Sequence, residues 1–78
     1  MLNIKILGSG CANCKRLEAV TRKVVAGAGM PAEFEKVTDY AEIMTWDLLA
    51  TPGLVINGKL VAAGRIPTEA EIAGWLAV

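Results

Sequence analysis

The chain reads as an α/β fold with the element order β-α-β-α-β-β-α, a four-stranded mixed sheet packed by three helices. Three observations predict it. Leu2, Ile4 and Ile6 alternate with Asn3 and Lys5, the two-residue period of a strand that buries one face. Leu17, Val20, Val24 and Ala28 recur at steps of three and four, the period of an amphipathic helix. Residues 54–56, "LVI", the dipeptide Asn57-Gly58, and residues 60–62, "LVA", make the strongest short-range signal for a β-hairpin.

Taken in order, the first strand covers residues 2–7. The helix that follows carries Lys15, Arg16, Glu18, Arg22 and Lys23 on its polar side, and Gly27 and Gly29 end it. Pro31 stands where a strand can begin without the missing N–H, and residues 32–37, with Phe34 and Val37 set imperfectly among charges, form a second strand. A helical crossover between these two strands suits a parallel, right-handed βαβ unit.

Asp39 and Glu42 have the spacing of a capping box, and Tyr40, Ile43, Met44, Asp47 and Leu48 give a second helical stripe that stops near Thr51-Pro52. Met44 is expected as core filler. After the hairpin, Thr68 and Glu71 form another capping box, and Ile72, Trp75 and Leu76 mark the buried side of a closing helix, with Trp75 partly in the core.

At 78 residues the chain has room for one domain, near the lower size at which a single apolar core suffices. It is 54% hydrophobic but only 5% aromatic, so the core is expected to be aliphatic. Eight basic and eight acidic side chains cancel, which removes the long-range positive field that nucleic acids and anionic membranes select. The apolar runs fall short of the roughly 20 residues of a membrane span, and residues 1–7 lack the pattern of an export signal. A cytoplasmic monomer is expected.

Cys11 and Cys14 are the only cysteines, and they stand in "GSGCANC", residues 8–14, between the first strand and the first helix. A cytoplasm keeps thiols reduced, so a C-x-x-C there is more often catalytic or metal-binding than a static staple. On this reading Cys11 lies at the helix N-terminus and Cys14 one turn in. The helix dipole, its unpaired N–H groups and the neighbouring Lys15 and Arg16 favour an anion. Such surroundings move a thiol pKa from about 8.5 into the range of roughly 3.5–7.5.

A Cys11 thiolate could attack a disulfide to form a mixed disulfide, which Cys14 then resolves. Gly8 and Gly10 would let the loop turn sharply and leave Cys11 uncovered, although glycines before a helix are also ordinary loop residues. The charged Arg22 and Lys23 read as a solvated helix face.

The C-x-x-C at the first β-to-α turn, Thr51-Pro52 before the third strand, the hairpin and the closing helix together resemble the thioredoxin and glutaredoxin superfamily in its minimal form. "GSGCANCKRLE" and "TPGLVINGKLVAAGRIP" are more closely similar to the small thioredoxin-like "redox-active disulfide" proteins of archaea and bacteria. The resemblance implies a thiol-disulfide oxidoreductase with Cys11 as nucleophile and Cys14 as resolving thiol. It further implies a cis Pro52, and a Thr51 whose backbone pairs with the substrate chain.

Gly10, Ala12, Asn13 and Lys15 surround the cysteines and are expected to tune them or support their loop. Here the chain departs from thioredoxins, which usually have a Trp before the first Cys and Gly-Pro between the two. It also lacks a clear counterpart of the acid buried behind the thioredoxin cysteines, since Lys5 lies in the first strand and there is no histidine.

Glutaredoxins bind glutathione partly through a Gly-Gly-x-Asp-like stretch, whereas this chain has Gly64-Arg65-Ile66-Pro67-Thr68. Protein disulfides are therefore the expected substrates. The resemblance implies a thioredoxin-reductase-type or ferredoxin-dependent reductase as electron donor, with no cofactor or resident metal in the chain itself.

The alternative is a copper(I)-handling module, because two soft thiolates suit copper(I) and small copper-chaperone domains also carry a C-x-x-C after their first strand. Those domains resemble a β-α-β-β-α-β fold that ends on a strand, and often place a Met where this chain has Ser9. Structural zinc needs four ligands, more than two cysteines and no histidine can supply.

Overall fold

The computed structural model describes residues 2–8, 12–46 and 50–76. Along the chain run β1 (Leu2–Leu7), α1 (Ala12–Ala28), β2 (Ala32–Val37), α2 (Tyr40–Met44), β3 (Gly53–Ile56), β4 (Lys59–Ala63) and α3 (Glu69–Leu76). The order is the one the residue periods predict. It ends on a helix, which separates it from the β-α-β-β-α-β pattern of copper-chaperone domains.

The four strands form one mixed sheet in the order β2-β1-β3-β4. β1 lies parallel to β2, from Leu2 opposite Ala32 to Leu7 opposite Val37, as a helical crossover demands. β3 runs antiparallel to β1 and to β4. The Asn57-Gly58 corner has φ of 50° and 82°, the two positive values that a tight hairpin turn requires. Asn57 also ties this corner to β1: its N–H donates to the Asn3 carbonyl at 2.7 Å, and its Oδ1 accepts from the Asn3 N–H at 2.9 Å. A bulge between Leu54 and Val55 shifts the β3–β4 register.

The strand pleat sends alternate side chains to opposite faces, and each face has its own apolar cluster. Leu2, Ile4, Ile6, Leu54 and Ile56 pack with Leu17 and Val25 of α1 and with Ile72 and Leu76 of α3. Leu7, Val37 and Val55 pack with Ile43 of α2, and Trp46 joins them partly buried. Trp75 packs partly buried against the first cluster, as its spacing from Ile72 predicts.

α1 ends at Ala28, with Gly29 at φ 67° as the left-handed residue beyond it, so Gly27 is helical rather than a terminator. The second helix is much shorter than its stripe predicts. Asp39 caps it by accepting from the Ala41 N–H at 3.3 Å, but only Ile43 is buried. Tyr40 and Met44 are 74% and 45% exposed, which corrects the expectation that Met44 fills core. A five-residue helix makes little more than one turn, so it can turn only one side chain to the sheet. Asp47 and Leu48 lie outside the described residues. The capping box of α3 is formed as predicted: the Thr68 N–H donates to Glu71 Oε1 at 3.0 Å, and Thr68 Oγ1 accepts from the Glu71 N–H at 3.1 Å.

Candidate active site

Ala12, the first residue of α1, directly follows Cys11 in the chain, and Cys14 sits within the first turn. The apolar stripe turns Cys14 inward with Leu17, Thr21 and Val25, and Cys14 is only 5% exposed. Ala12, Asn13, Lys15 and Arg16 are exposed around it. No acidic side chain lies in this first turn, so the positive end of the helix dipole stands uncompensated by the helix's own residues there. Cys11 and Gly10 lie outside the described residues.

Gly8 extends the β1–β2 ladder by donating its N–H to the Val37 carbonyl at 3.0 Å. A Cβ at this position would overlap the Cys14 sulfur and would stand 3.9 Å from the Pro52 Cα. The absence of a side chain at Gly8 therefore lets three separate segments meet: the end of β1, the first turn of α1 and the approach to β3. Sequence reasoning gave Gly8 a role in turning the loop; the geometry gives it a second, as the floor under the sulfur.

The Thr51-Pro52 peptide bond is cis. Thr51 is exposed and Pro52 buried, and the Pro52 carbonyl accepts from the Gly64 N–H at 2.9 Å. Gly64 has φ 75°, and its missing side chain leaves room for Ala50. The β4–α3 connection thus braces the proline segment. Arg65, next in the chain, makes two hydrogen bonds to the Glu71 carboxylate, at 2.9 and 2.8 Å. Those bonds, with the Thr68 N–H, hold the Glu71 carboxyl down to about 2.

Beside Cys14 opens a small cavity of about 50 Å³, bounded by Ile6, Gly8, Cys14, Lys15, Glu18, Lys36 and Thr38. Glu18 is one helical turn beyond Cys14 on α1, and its side chain is 17% exposed. Its carboxylate bonds Arg22 at 2.9 Å and Lys36 of β2 at 3.2 Å. The Arg22 bond first, then Lys36, hold the Glu18 carboxyl below its ordinary range against the opposing effect of burial. Sequence reasoning placed Glu18 on the polar side of the helix and gave it no role. The signal that finds it is the four-residue step from Cys14, which puts both on one side of the helix.

Lys5, the strand residue that stands where an acid might have been sought, pairs with Glu35 of β2 at 2.9 Å. It alternates with Ile4 and Ile6, so it belongs to the sheet face away from α1. Among the described residues no cluster of three or more His, Cys, Asp or Glu is placed to hold a metal ion, and no helix is long and apolar enough to cross a membrane.

Residues 2–77 match the family model of the thioredoxin domain. The chain is 43% identical over 72 residues to a thioredoxin of Methanothermobacter thermautotrophicus, covering 92% of this chain and 94% of that one. It is 39% identical over 72 residues to a thioredoxin of Methanocaldococcus jannaschii, covering 92% and 83%. In structure it is similar to the germline-specific thioredoxin Deadhead of Drosophila melanogaster, with a TM-score of 0.64 at 16% identity over 97% of this chain and 78% of the other. The match along nearly the whole chain, the mixed sheet with its three helices, and a buried cysteine at the head of α1 agree: the chain belongs to the thioredoxin family of thiol-disulfide oxidoreductases.

Proposed function

We propose that the chain reduces or exchanges disulfides of other proteins through the Cys11–Cys14 couple, with Cys11 as nucleophile and Cys14 as resolving thiol. The observation that carries this is the seat of Cys14: nearly enclosed, in the first turn of α1, against Gly8 and near Pro52. A sulfur so enclosed is poorly placed to meet a protein-sized substrate but well placed to attack a neighbour three residues back. By its place in the chain, Cys11 directly precedes the first helical residue, where the helix dipole, Lys15 and Arg16 favour a thiolate.

The reaction then runs in two exchanges. The Cys11 thiolate attacks one sulfur of the substrate disulfide, forming a mixed disulfide and releasing the other substrate sulfur as a thiolate. Cys14, deprotonated, attacks the Cys11 sulfur; the Cys11–Cys14 bond forms, the bond to substrate breaks, and the substrate leaves with both sulfurs reduced. Two electrons have passed from the dithiol. Thr51, exposed and held on the Cys14 side of Gly8 by buried Pro52 and the Gly64 bond, offers the edge against which an extended substrate strand can pair.

Gly10, Ala12, Asn13 and Lys15 support or tune the loop. A thioredoxin-reductase-type or ferredoxin-dependent enzyme restores the dithiol, in a compartment that keeps thiols reduced, and the protein acts as a monomer.

The test is partner trapping. Cys14→Ser is expected to accumulate mixed disulfides through Cys11, visible as reductant-sensitive adducts, while Cys11→Ser forms none. Equal trapping by both variants would reverse or abolish the assignment of roles.

A further inference from the structure

The turn from β4 to α3 does more than connect them. Ala63 closes the ladder against Gly53, the first residue of β3, and Gly64, next in the chain, donates its N–H to the Pro52 carbonyl. Further on, Pro67 is fully buried and Thr68 caps α3, which Ile72 and Leu76 anchor in the larger apolar cluster. Only Arg65 and Ile66 lie between the glycine and that anchored end.

The Glu71 carboxylate gathers its donors from this stretch. Arg65 gives it two bonds, through Nη1 and Nη2 at 2.9 and 2.8 Å, and the Thr68 N–H adds a third at 3.0 Å. One carboxylate in the first turn of α3 therefore holds both the residue after Gly64 and the cap of the helix. Two parallel bonds fix a guanidinium in direction as well as in distance, which a point charge does not.

We infer that Arg65 is a positioning residue for substrate: its fork on Glu71 ties the Gly64 corner to α3, and so sets the place of the Pro52 carbonyl and of the Thr51 edge beside it. This rests on the reading that a substrate chain pairs along Thr51. Gly64 has φ 75°, and a residue without a Cβ leaves that conformation at little steric cost, so the corner must be held from outside. Its bond to Pro52 is one tie, and the fork on the next residue is the other. With the Glu71 carboxyl held down to about 2, the pair stays charged through the neutral range. Arg65 and Glu71 are 54% and 37% exposed, so the pair has a modest share in global stability and acts on where the corner sits.

The experiment compares Arg65→Gln, Glu71→Gln and the double variant. Glutamine at position 71 keeps the side-chain acceptor that a capping box uses, so it weakens the fork and spares the cap. Insulin serves as the protein disulfide, with dithiothreitol regenerating the dithiol, and the rate of alkylation of Cys11 by iodoacetamide reports on the cysteine turn.

Each single variant is expected to raise KM for insulin about twofold to fivefold, the range that a partly exposed ion pair can carry. The double variant should raise it no further, because each single change already breaks the same fork. The values of kcat and of the alkylation rate should stay those of the parent, whereas a variant that merely unfolds in part loses kcat and keeps KM.

If Arg65 touched the substrate directly, Glu71→Gln would free it and lower KM, and that result overturns the proposal. Additive effects in the double variant, a changed alkylation rate, or an unchanged KM in the single variants overturn it as well. Gly64→Ala tells the two readings apart. A raised KM there, with unchanged KM in the Arg65 and Glu71 variants, removes the role of the fork and leaves the substrate edge standing; no change in any of them removes the edge too.

Discussion

Gly8 lies against Cys14 so closely that even a methyl group on its Cα would occupy the space of the sulfur. Gly8 is held by its N–H bond to Val37, and the Cys14 backbone by the first turn of a seventeen-residue helix, so the buried sulfur can give way only by turning its side chain out of its present seat.

Gly8→Ala is therefore expected to destabilise the protein by about 1–3 kcal/mol through overpacking. It should also move the Cys14 sulfur from its seat and slow the resolving step. Urea unfolding measures the first effect, and the rate at which a mixed disulfide with a small aromatic thiol releases that thiol measures the second. A stable variant with unimpaired resolution would show that the Cys14 seat has slack that its geometry does not reveal.

Much of this arrangement was legible in the residues themselves, and the part that was not has a physical reason. β1 is readable because one buried face makes Leu2, Ile4 and Ile6 alternate with Asn3 and Lys5, β2 less so because only Val37 of it is buried, and the hairpin because two successive positive φ values favour Asn-Gly. α2 was overextended because Tyr40 and Met44 have the spacing of a buried stripe but stand in solvent, which only the packing of Ile43 against the sheet decides. Glu18 falls on the polar side of the α1 pattern, and a single helix does not announce that a neighbouring strand will bring Lys36 over it. The meeting of Gly8, Cys14 and Pro52 joins residues far apart in the chain, and no local pattern encodes such a contact.

Stability in acid should carry the signature of Glu71. Its carboxyl is held down to about 2 by the Arg65 bonds first and the Thr68 N–H second, whereas in the unfolded chain it returns to near 4.5. A folded pKa below the unfolded one stabilises the protein above about 4.5, and that contribution disappears as the pH falls toward 2. Thermal unfolding between pH 6 and pH 2 is expected to show a falling Tm, with a shallower fall in Glu71→Gln. Parallel curves for the two proteins would mean that the Arg65–Glu71 pair persists in the unfolded chain or contributes nothing in the folded one.

Gly64 serves the substrate edge at one remove. Its φ of 75° is costly for any residue with a Cβ, by about 1–2 kcal/mol, and a methyl group there would press on Ala50 at 3.0 Å. Gly64→Ala is expected to lower stability by roughly that amount and to disturb the bond from its N–H to the Pro52 carbonyl. Because that bond braces the segment carrying Thr51, KM for a protein disulfide should rise severalfold while alkylation of Cys11 by a small reagent keeps its rate. A slowed alkylation with unchanged KM would place the effect of Gly64 at the cysteine turn instead.

Thr21 is the one polar side chain among the fully buried ones of α1, and its hydroxyl donates to the Leu17 carbonyl at 2.7 Å. That carbonyl already accepts the helical N–H four residues on, so deleting the hydroxyl leaves no orphaned acceptor. Valine has nearly the same shape and a favoured rotamer in a helix. Thr21→Val should therefore stay within about 1 kcal/mol of the parent, the lost bond being offset by burial of an extra methyl group. Leu17, fully buried in the same stripe, offers no such compensation: Leu17→Ala leaves a cavity between α1 and the sheet and should cost about 2–5 kcal/mol. Chemical denaturation of the two variants distinguishes the cases. A Thr21→Val loss as large as that of Leu17→Ala would mean that the buried hydroxyl's bond to the Leu17 carbonyl sets the local course of α1, and with it the seat of Cys14 one turn before Leu17.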